Sequence, residues 1–453
     1  MTATTIVESL GRVLDTRAPE VARLNSYYAG QQAAAYLNPK AREALGSNFR
    51  TLSVNYPRLV VNSIAERLRV TGFRLGGPDS VADAALWAIW RRNDLVEASG
   101  QAHIEALTLG SAYVIVWAGA DGEPLVTVES AAQVAVQRDP ATREVTAAVK
   151  RWQDGGSAHA VVFERDRVTR LVSKGRVPDG GAIPATGWDT VEVIDNPLGV
   201  VPVVPIVNRG RLLDLDGVSE MADVLDLADA INKINLDLMV TSEYYARPRR
   251  WATGLEVIED EDGEPINPFA DEANRVWQAE APEAKFGQFD AARLDGYADA
   301  LATLTQQVGA LTGLPPHYLG LHGDQPASAD AIRSAEASLV ATCTEKMRTF
   351  GSAWADVIRL VVAVRDGVDP RAVEVETVWA SAETRTPAQA ADAALKLVTI
   401  GLPVAAVMEE TLGFSPAQIE RFRQLKRAEA LDAAGVNLPA LLPGPDTEPG
   451  AAT

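Results

Sequence analysis

From Ala329 to about Val364 the chain keeps one helical apolar period without interruption, with Ser328 at the capping position and Gly351 as its one internal glycine. Thirty-odd helical residues reach about 50 Å, well beyond the helix of an ordinary globular domain. A rod of that length restricts the fold. Its apolar face stays partly uncovered unless other segments, or other copies of the same chain, pack along it.

The surrounding sequence supplies further rods. From Val218 to Ala246, Met221, Val224, Leu225, Ala228, Ile231, Ile234 and Leu238 fall at helical spacing, while Glu220, Asp223, Asp226, Asp229 and Asp237 take other faces. An amphipathic helix with an acidic side is expected, ended by Pro248. Leu294 to Leu311 repeats the period through Tyr297, Leu301, Leu304 and Val308. Between these two helices, residues 251–290 hold eleven acids and two bases, so much of the chain's charge excess is packed into one short stretch. Trp251 to Ile258 and Arg275 to Gln278 read as strands around the turn Glu259 to Pro265. A charge run of this kind is either a solvated face or a docking surface.

The N-terminal part reads as helices and turns. Val60, Val61, Ile64, Leu68 and Val70 form a helical run, with Glu66, Arg67 and Arg69 expected toward solvent, that Gly72 is expected to cap. Ser80 to Leu95 forms another, whose Trp87 and Trp90 share a face and are expected in the core. From Ser111 the period changes to strands: Ala112 to Trp117 with Leu125 to Val128, Gln133 to Arg138 with Val145 to Trp152, Ala160 to Phe163, and Arg167 to Val172. The expected result is one antiparallel meander ending near Ile194, with Val177 to Gly187 as an exposed loop. The Pro-punctuated segment Val200 to Val207 leads on to the first rod. Beyond the long helix, Thr386-Pro387-Ala388-Gln389 and Ser415-Pro416-Ala417-Gln418 each open a helix, with a shorter one from Val404 to Thr411 between stops at Gly401 and Gly413. Helical segments and an antiparallel sheet that occupy separate stretches define an α+β fold.

Charge and composition remove several functions. With 61 acidic against 42 basic residues the net charge is −19, which opposes sequence-independent phosphate binding through a basic face. A lone Cys343 forms no internal disulfide, and four scattered His cannot supply a zinc cluster, so no metal or cofactor is expected and a reducing compartment fits. The longest apolar run, Leu198 to Val207, is short and broken by Pro202 and Pro205, so no membrane span is expected. Nucleotide-binding and hydrolase motifs are absent. Cys343 reads as a packed thiol, and His317 and His322, five apart in a Gly/Pro-rich loop, read as a solvent-exposed pair.

Tyr27-Tyr28-Ala29-Gly30 with Tyr36-Leu37, Asn55-Tyr56-Pro57-Arg58-Leu59-Val60-Val61-Asn62, and the run from Glu66 to Phe73 form one set of motifs. Leu109-Gly110-Ser111-Ala112-Tyr113-Val114, Asn196-Pro197-Leu198-Gly199 with Pro202 and Pro205, and Gly217-Val218-Ser219-Glu220 form another. In this order and spacing they resemble the portal, or head-to-tail connector, proteins of tailed bacteriophages, particularly the siphophage branch. The resemblance implies a phage portal fold: an α/β wing at 1–216, a stem helix at 217–250, a small β-containing clip at 251–290, and a second stem helix at 291–313. It further implies a tunnel loop at 314–328, a long kinked helix with a return segment at 329–380, crown helices at 381–435 and a tail at 436–453. Stem packing would fall to Met221, Val224, Leu225, Ile231, Ile234 and Leu238. His317, Tyr318, His322, Asp324 and Gln325 would face DNA, and Glu259, Asp260, Glu261, Asp262 and Glu264 would dock the terminase and the adaptor. The implied protein is not an enzyme. It is a homo-oligomeric ring, typically of twelve copies, at the portal vertex of the virion, assembled in the host cytoplasm. Its implied partners are the large terminase, the major capsid and scaffolding proteins, a head-tail adaptor, and double-stranded DNA passing without sequence specificity. A capsid-associated adaptor or minor head protein without a channel, and an enzyme with a hidden carboxylate site, are the competing readings.

Overall fold

The computed structural model describes residues 2–33, 53–76, 83–178, 180–208, 211–245, 250–254, 282–288, 294–321, 328–383, 387–414 and 416–433. Helix α1 (Ala3–Ala29) starts where the Thr2 hydroxyl accepts from the Thr5 amide and stops at Gly30 in the left-handed region. Ile6, Val7, Leu10 and Leu14 of its first half are buried against a sheet, while Leu24 and Tyr27 join the main core. Helix α2 (Tyr56–Ala65) is capped by the Asn55 side chain, which accepts from the Arg58 amide. It ends earlier than the apolar run implies. Val70 and Gly72 belong to strand β1 (Val70–Leu75), which pairs antiparallel with a strand three hundred residues away, β12 (Val375–Trp379). Gly72 therefore caps no helix and sits at a register shift in that pair. Helices α3 (Ala84–Arg92) and α4 (Leu95–Leu109) follow; Trp90 is buried as expected, whereas Trp87, stacked on it at 6.1 Å between ring centroids, is half-buried.

The strands between Ser111 and Val207 form two sheets where one meander is expected. Strand β2 (Ser111–Ala118), buried over six consecutive residues, pairs with β3 (Pro124–Ser130) on one side and with β9 (Val203–Val207) on the other. The Pro-punctuated segment thus becomes an edge strand. Pro205 is tolerated there because an edge strand has one side free of ladder bonds. The meander proper runs through β4 (Val134–Arg138), β5 (Val145–Asp154), β6 (Ser157–Glu164), β7 (Arg167–Ser173) and β8 (Trp188–Asp195), in sequence order. Helix α1 covers the face carrying Ala147, Val149, Ala158, Ala160, Val162 and Leu171.

After a single 3₁₀ turn, α5 (Leu225–Tyr245) and α6 (Asp295–Thr312) form an antiparallel hairpin, its far end bridged by the Thr241 and Tyr297 hydroxyls at 3.1 Å. Beyond α5, β10 (Arg250–Thr253) pairs antiparallel with β11 (Lys285–Gln288), so the chain closes on itself around residues 254–284. The partner of the Trp251 strand is therefore Lys285–Gln288, and Arg275 to Gln278 lie outside the described residues. The long helix is α7 (Ala329–Asp366), 38 residues capped by Ser328 and ended by Gly367. Helices α8 (Pro387–Thr399) and α10 (Pro416–Ala433) begin where the Pro signals place them, and the short α9 (Val404–Glu410) lies between Gly401 and Gly413. Arg74 of β1 fastens this C-terminal group, reaching Glu376 at 3.0 Å and Glu409 of α9 at 2.6 Å.

Within the core, Trp354 of α7 meets side chains of both α3 and α4. Trp354 meets Trp90 edge-on at 4.9 Å, and its indole Nε1 donates to His103 Nε2 at 2.8 Å. His103 Nδ1 lies 3.1 Å from the Leu68 carbonyl. An indole N–H only donates and a carbonyl only accepts, so the neutral imidazole with its proton on Nδ1 satisfies both neighbours. Burial pushes the imidazole down to about 3, opposed only in part by the Leu68 bond. Folding therefore favours neutral His103. Its contribution is intact above the unfolded value of 6.5 and is lost as pH falls toward 3. The difference in unfolding free energy between wild type and His103→Gln is expected to shrink by about 2 kcal/mol from pH 7 to pH 5, measured by urea titration at both values.

Two glycines set the crossing at the base of the hairpin. A Cβ on Gly217 (φ +82) would lie 1.9 Å from the Gly110 carbonyl oxygen, so the two backbones touch without room for a side chain. Gly199 has a similar φ of +65 and open space around it. Gly199→Ala is expected to cost about 1 kcal/mol from conformation alone, and Gly217→Ala more than about 3 kcal/mol because strain and overlap add. Denaturation midpoints of the two variants check the contrast.

Candidate functional site

The α5–α6 hairpin, its roots and the segment after α6 hold the residues to which sequence reasoning assigned function. Met221, Val224, Leu225 and Ile231 are buried, whereas Ile234 and Leu238 are half-buried and Met239 is 41% exposed. Burial is thus heaviest at the root of α5 and thins beyond Ile231, with Leu236 still buried. On α6, Val308 is buried, whereas Leu294 at the far end and Leu311 next to the root are both exposed. The acidic side is not uniform. Asp223 and Asp226 are exposed, but Asp229 is buried and accepts from the Tyr27 hydroxyl at 2.7 Å. Desolvation, helped by the bond to the Asp229 carboxylate and its charge, pushes the Tyr27 phenol up to about 12. Asn232 of α5 accepts from the Val54 amide at 2.8 Å, and the Tyr56 and Thr305 hydroxyls stand 3.3 Å apart. The N-terminal segments thus grip both helices near their roots.

At the start of α5 a second polar group ties the hairpin to α7. Lys346 Nζ donates to Glu220 Oε2 and to Asn208 Oδ1, both at 2.6 Å, and Asn208 Nδ2 donates to the Val218 carbonyl at 2.8 Å. The Glu220 amide donates to the Leu107 carbonyl at 2.8 Å, so the turn into α5 is fixed to α4 as well.

The segment after α6 is more ordered than a Gly/Pro loop. Gly313 ends α6 in the left-handed region, and Pro316–Leu319 form a 3₁₀ turn whose flanking Leu314 and Leu319 are buried. Tyr318 turns toward the body, where its hydroxyl accepts from Arg67 Nη2 at 2.9 Å. The same nitrogen lies 3.2 Å from Glu336 Oε1, and Arg67 Nη1 donates to the Ala382 carbonyl at 2.8 Å. Burial alone lowers the guanidinium pKa, but the Tyr318 hydroxyl and the Glu336 carboxylate outweigh it and the net shift is upward. His317 is exposed, with Nε2 at 3.6 Å from Glu336 Oε1. His322, Asp324 and Gln325 lie outside the described residues, as do Glu259, Asp260, Glu261, Asp262 and Glu264. At the base of that acidic segment, Trp251 and Phe286 present exposed aromatic surface.

Cys343 is fully buried on α7. Burial pushes its thiol up to about 11, with nearby charges adjusting the value less, so little thiolate exists at neutral pH. Among the described residues no group of His, Cys, Asp and Glu is arranged to hold a metal, and no helix is long and apolar enough to cross a membrane.

Sequence reasoning set Arg67 toward solvent, where the structure buries it, and missed Glu336, Asn208 and Lys346. A signal was present for two of them. Leu339, Cys343, Phe350 and Trp354 mark the buried stripe of α7, and Glu336 and Lys346 fall on the same stripe, three before Leu339 and three after Cys343. A charge on an apolar stripe requires a buried partner.

Residues 11–409 match the family described as phage portal protein, SPP1 Gp6-like. The portal protein of Mycobacterium phage L5 is 32% identical over 470 residues, covering 98% of this chain and 92% of its own length. That of Mycobacterium phage D29 is 34% identical over 418 residues, covering 88% and 83%. Two solved chains are similar in fold. One, from the neck of an empty gene transfer agent particle computed with C6 symmetry, has a TM-score of 0.48 at 14% identity and covers 85% of this chain and 94% of its own. The other, from the neck of a native particle computed with C12 symmetry, has a TM-score of 0.46 at 15% identity, covering 86% and 98%. With the family match running from α1 through α9 and the phage relatives aligned over nearly the whole chain, the protein belongs to the SPP1 Gp6-like phage portal proteins.

Proposed function

We propose that copies of this chain close into a ring at the unique capsid vertex, through which double-stranded DNA is packaged and later ejected. The observation that carries the reading is the apolar surface that the α5–α6 hairpin leaves uncovered. Val224, Leu225, Ile231 and Val308 are buried, while Met239 of α5 and Leu294 and Leu311 on α6 stay exposed, as on a rod that a neighbouring copy covers. A contact of this heterologous kind, repeated around an axis, closes into a ring. Twelve copies are the expected number.

In this reading 1–216 with part of α7 is the wing, α5 and α6 are the stem, 251–290 is the clip, 314–328 the tunnel loop and 381–435 the crown. The net charge of −19 per copy gives the bore few phosphate-binding wells, so the duplex slides and counterions mediate the contact. ATP hydrolysis belongs to the large terminase, which docks on the clip and is later replaced by the head-tail adaptor. The major capsid and scaffolding proteins surround the wing. The role is structural and uses no catalytic residue.

Negative-stain images of the purified protein are expected to show rings with a central channel wide enough for a duplex; solid or open-ended assemblies overturn the reading. Reversing Asp260, Glu261 and Asp262 to Lys is expected to leave the rings intact and to weaken terminase binding by about tenfold or more. Unchanged binding in a pull-down titration would make the acidic run a solvated face and nothing else.

A further inference from the structure

Arg67 stands just beyond α2 and takes no part in the function proposed above, yet it is among the most heavily engaged side chains of the protein. It is buried, as is Glu336, its ion-pair partner. Burying such a pair is weak evidence for stability, since apolar side chains of the same volume often do as well. What a guanidinium supplies is direction: a planar fork whose N–H groups point at fixed angles. Here the fork meets three separate parts of the chain. Nη2 reaches the Tyr318 hydroxyl at 2.9 Å and Glu336 Oε1 at 3.2 Å, and Nη1 reaches the Ala382 carbonyl at 2.8 Å.

The segment held in this way has apolar anchors too, but these are less directional. Leu314 and Leu319 are buried on either side of the 3₁₀ turn, and Leu319 packs so closely on α6 that a Cβ on Gly309 would lie 2.8 Å from it. Gly313 presses against Ser338 of α7. Such contacts fix how deep the turn sits and leave its tilt to the polar bonds. We propose that Arg67 is a positioning residue for the segment Gly313–Leu321: by locking Tyr318 onto Glu336 of α7 and onto the Ala382 backbone, it sets where the turn Pro316–Leu319 and the exposed imidazole of His317 stand. The inference rests on the reading of this segment as the root of the tunnel loop. Under that reading, one cation buried behind the channel wall holds the loop root, the long helix and the first residues of the crown in register.

The test uses the full-length ring and three variants. Tyr318→Phe removes only the hydroxyl acceptor and leaves the ion pair, Arg67→Lys keeps the charge without the fork, and Arg67→Met removes both. Hydrogen exchange is followed by mass spectrometry in a peptide covering 313–321 and in one around Trp354, and DNA packaging is measured in proheads supplied with terminase. Tyr318→Phe is expected to form rings and to speed exchange of 313–321 by up to about tenfold. The peptide around Trp354 should keep the wild-type rate, and packaged DNA should fall. Arg67→Lys is expected to match Tyr318→Phe and not the wild type. Arg67→Met strands the Glu336 carboxylate, so if it fails to fold, the first two variants decide. Faster local exchange with unchanged packaging supports Arg67 as the positioning residue and overturns the channel reading of the segment. Unchanged exchange of 313–321 in Tyr318→Phe, or a rise of equal size in both peptides, overturns the proposal, because a pair that only stabilises the fold loosens the core as a whole.

Discussion

A helix of 38 residues has to be held along its length, and in α7 the holding is done on one stripe. Glu336 meets Arg67, Lys346 meets Glu220 and Asn208, and Trp354 meets His103. Between the last two, Gly351 lets β12 come close: its carbonyl accepts from the Thr377 hydroxyl at 2.9 Å, and a Cβ there would lie 2.9 Å from Trp379 Nε1. Leu339, Cys343, Phe350, Val357, Ile358 and Val361 fill the same face with apolar contacts. The rest of the chain is arranged around this stripe. The turn after α6, the root of α5, helix α4 and the β1–β12 pair each bond to a different height on one rigid element, so their relative positions are fixed through it.

Such an arrangement divides the work between two kinds of interaction. Apolar burial supplies most of the driving force but is without direction. Buried polar bonds add less free energy each, and they are lost outright when geometry changes. The His103 imidazole accepts from Trp354 at one nitrogen and faces the Leu68 carbonyl with the other, so α4 and α7 dock in one relative rotation. Surface ion pairs such as Arg348 with Glu345 or Lys396 with Asp392 sit in water and carry little of this burden.

What sequence reasoning reached, and what it did not, follows the range of the determining contacts. The long helix, the Pro-started helices at 387 and 416, and the five strands from Val134 to Asp195 depend on caps, turns and periods within a few residues, and they stand where those signals put them. Trp90 was legible as core, and Trp87, on the same helix face, packs half-buried against it. The errors were all long-range. Val70 to Phe73 continues a helical period on paper, but its partner is Val375–Trp379, and nothing local announces that pairing. Val203–Val207 carries too many prolines to read as a strand until β2 offers it an edge. Tyr318 sits in a stretch dense in Gly and Pro, and only the distant Arg67 turns it inward.

The hairpin shows why polar bonds gather at its root. A helix that slips by one residue turns by about 100°, and an apolar stripe alone tolerates part of that error. Asp229 under Tyr27 and Asn232 under the Val54 amide do not, because each must meet a single atom. These two bonds, three residues apart, fix the rotation of α5 at its buried end. Rotation at the root then sets which side chains face outward further along, where Ile234, Leu238 and Met239 have no comparable bonds of their own. The outer face of the hairpin is therefore prepared by the body that holds it. Whatever packs against that face meets an apolar strip whose orientation was decided two to three turns away, by a phenol, a carboxylate and one backbone amide.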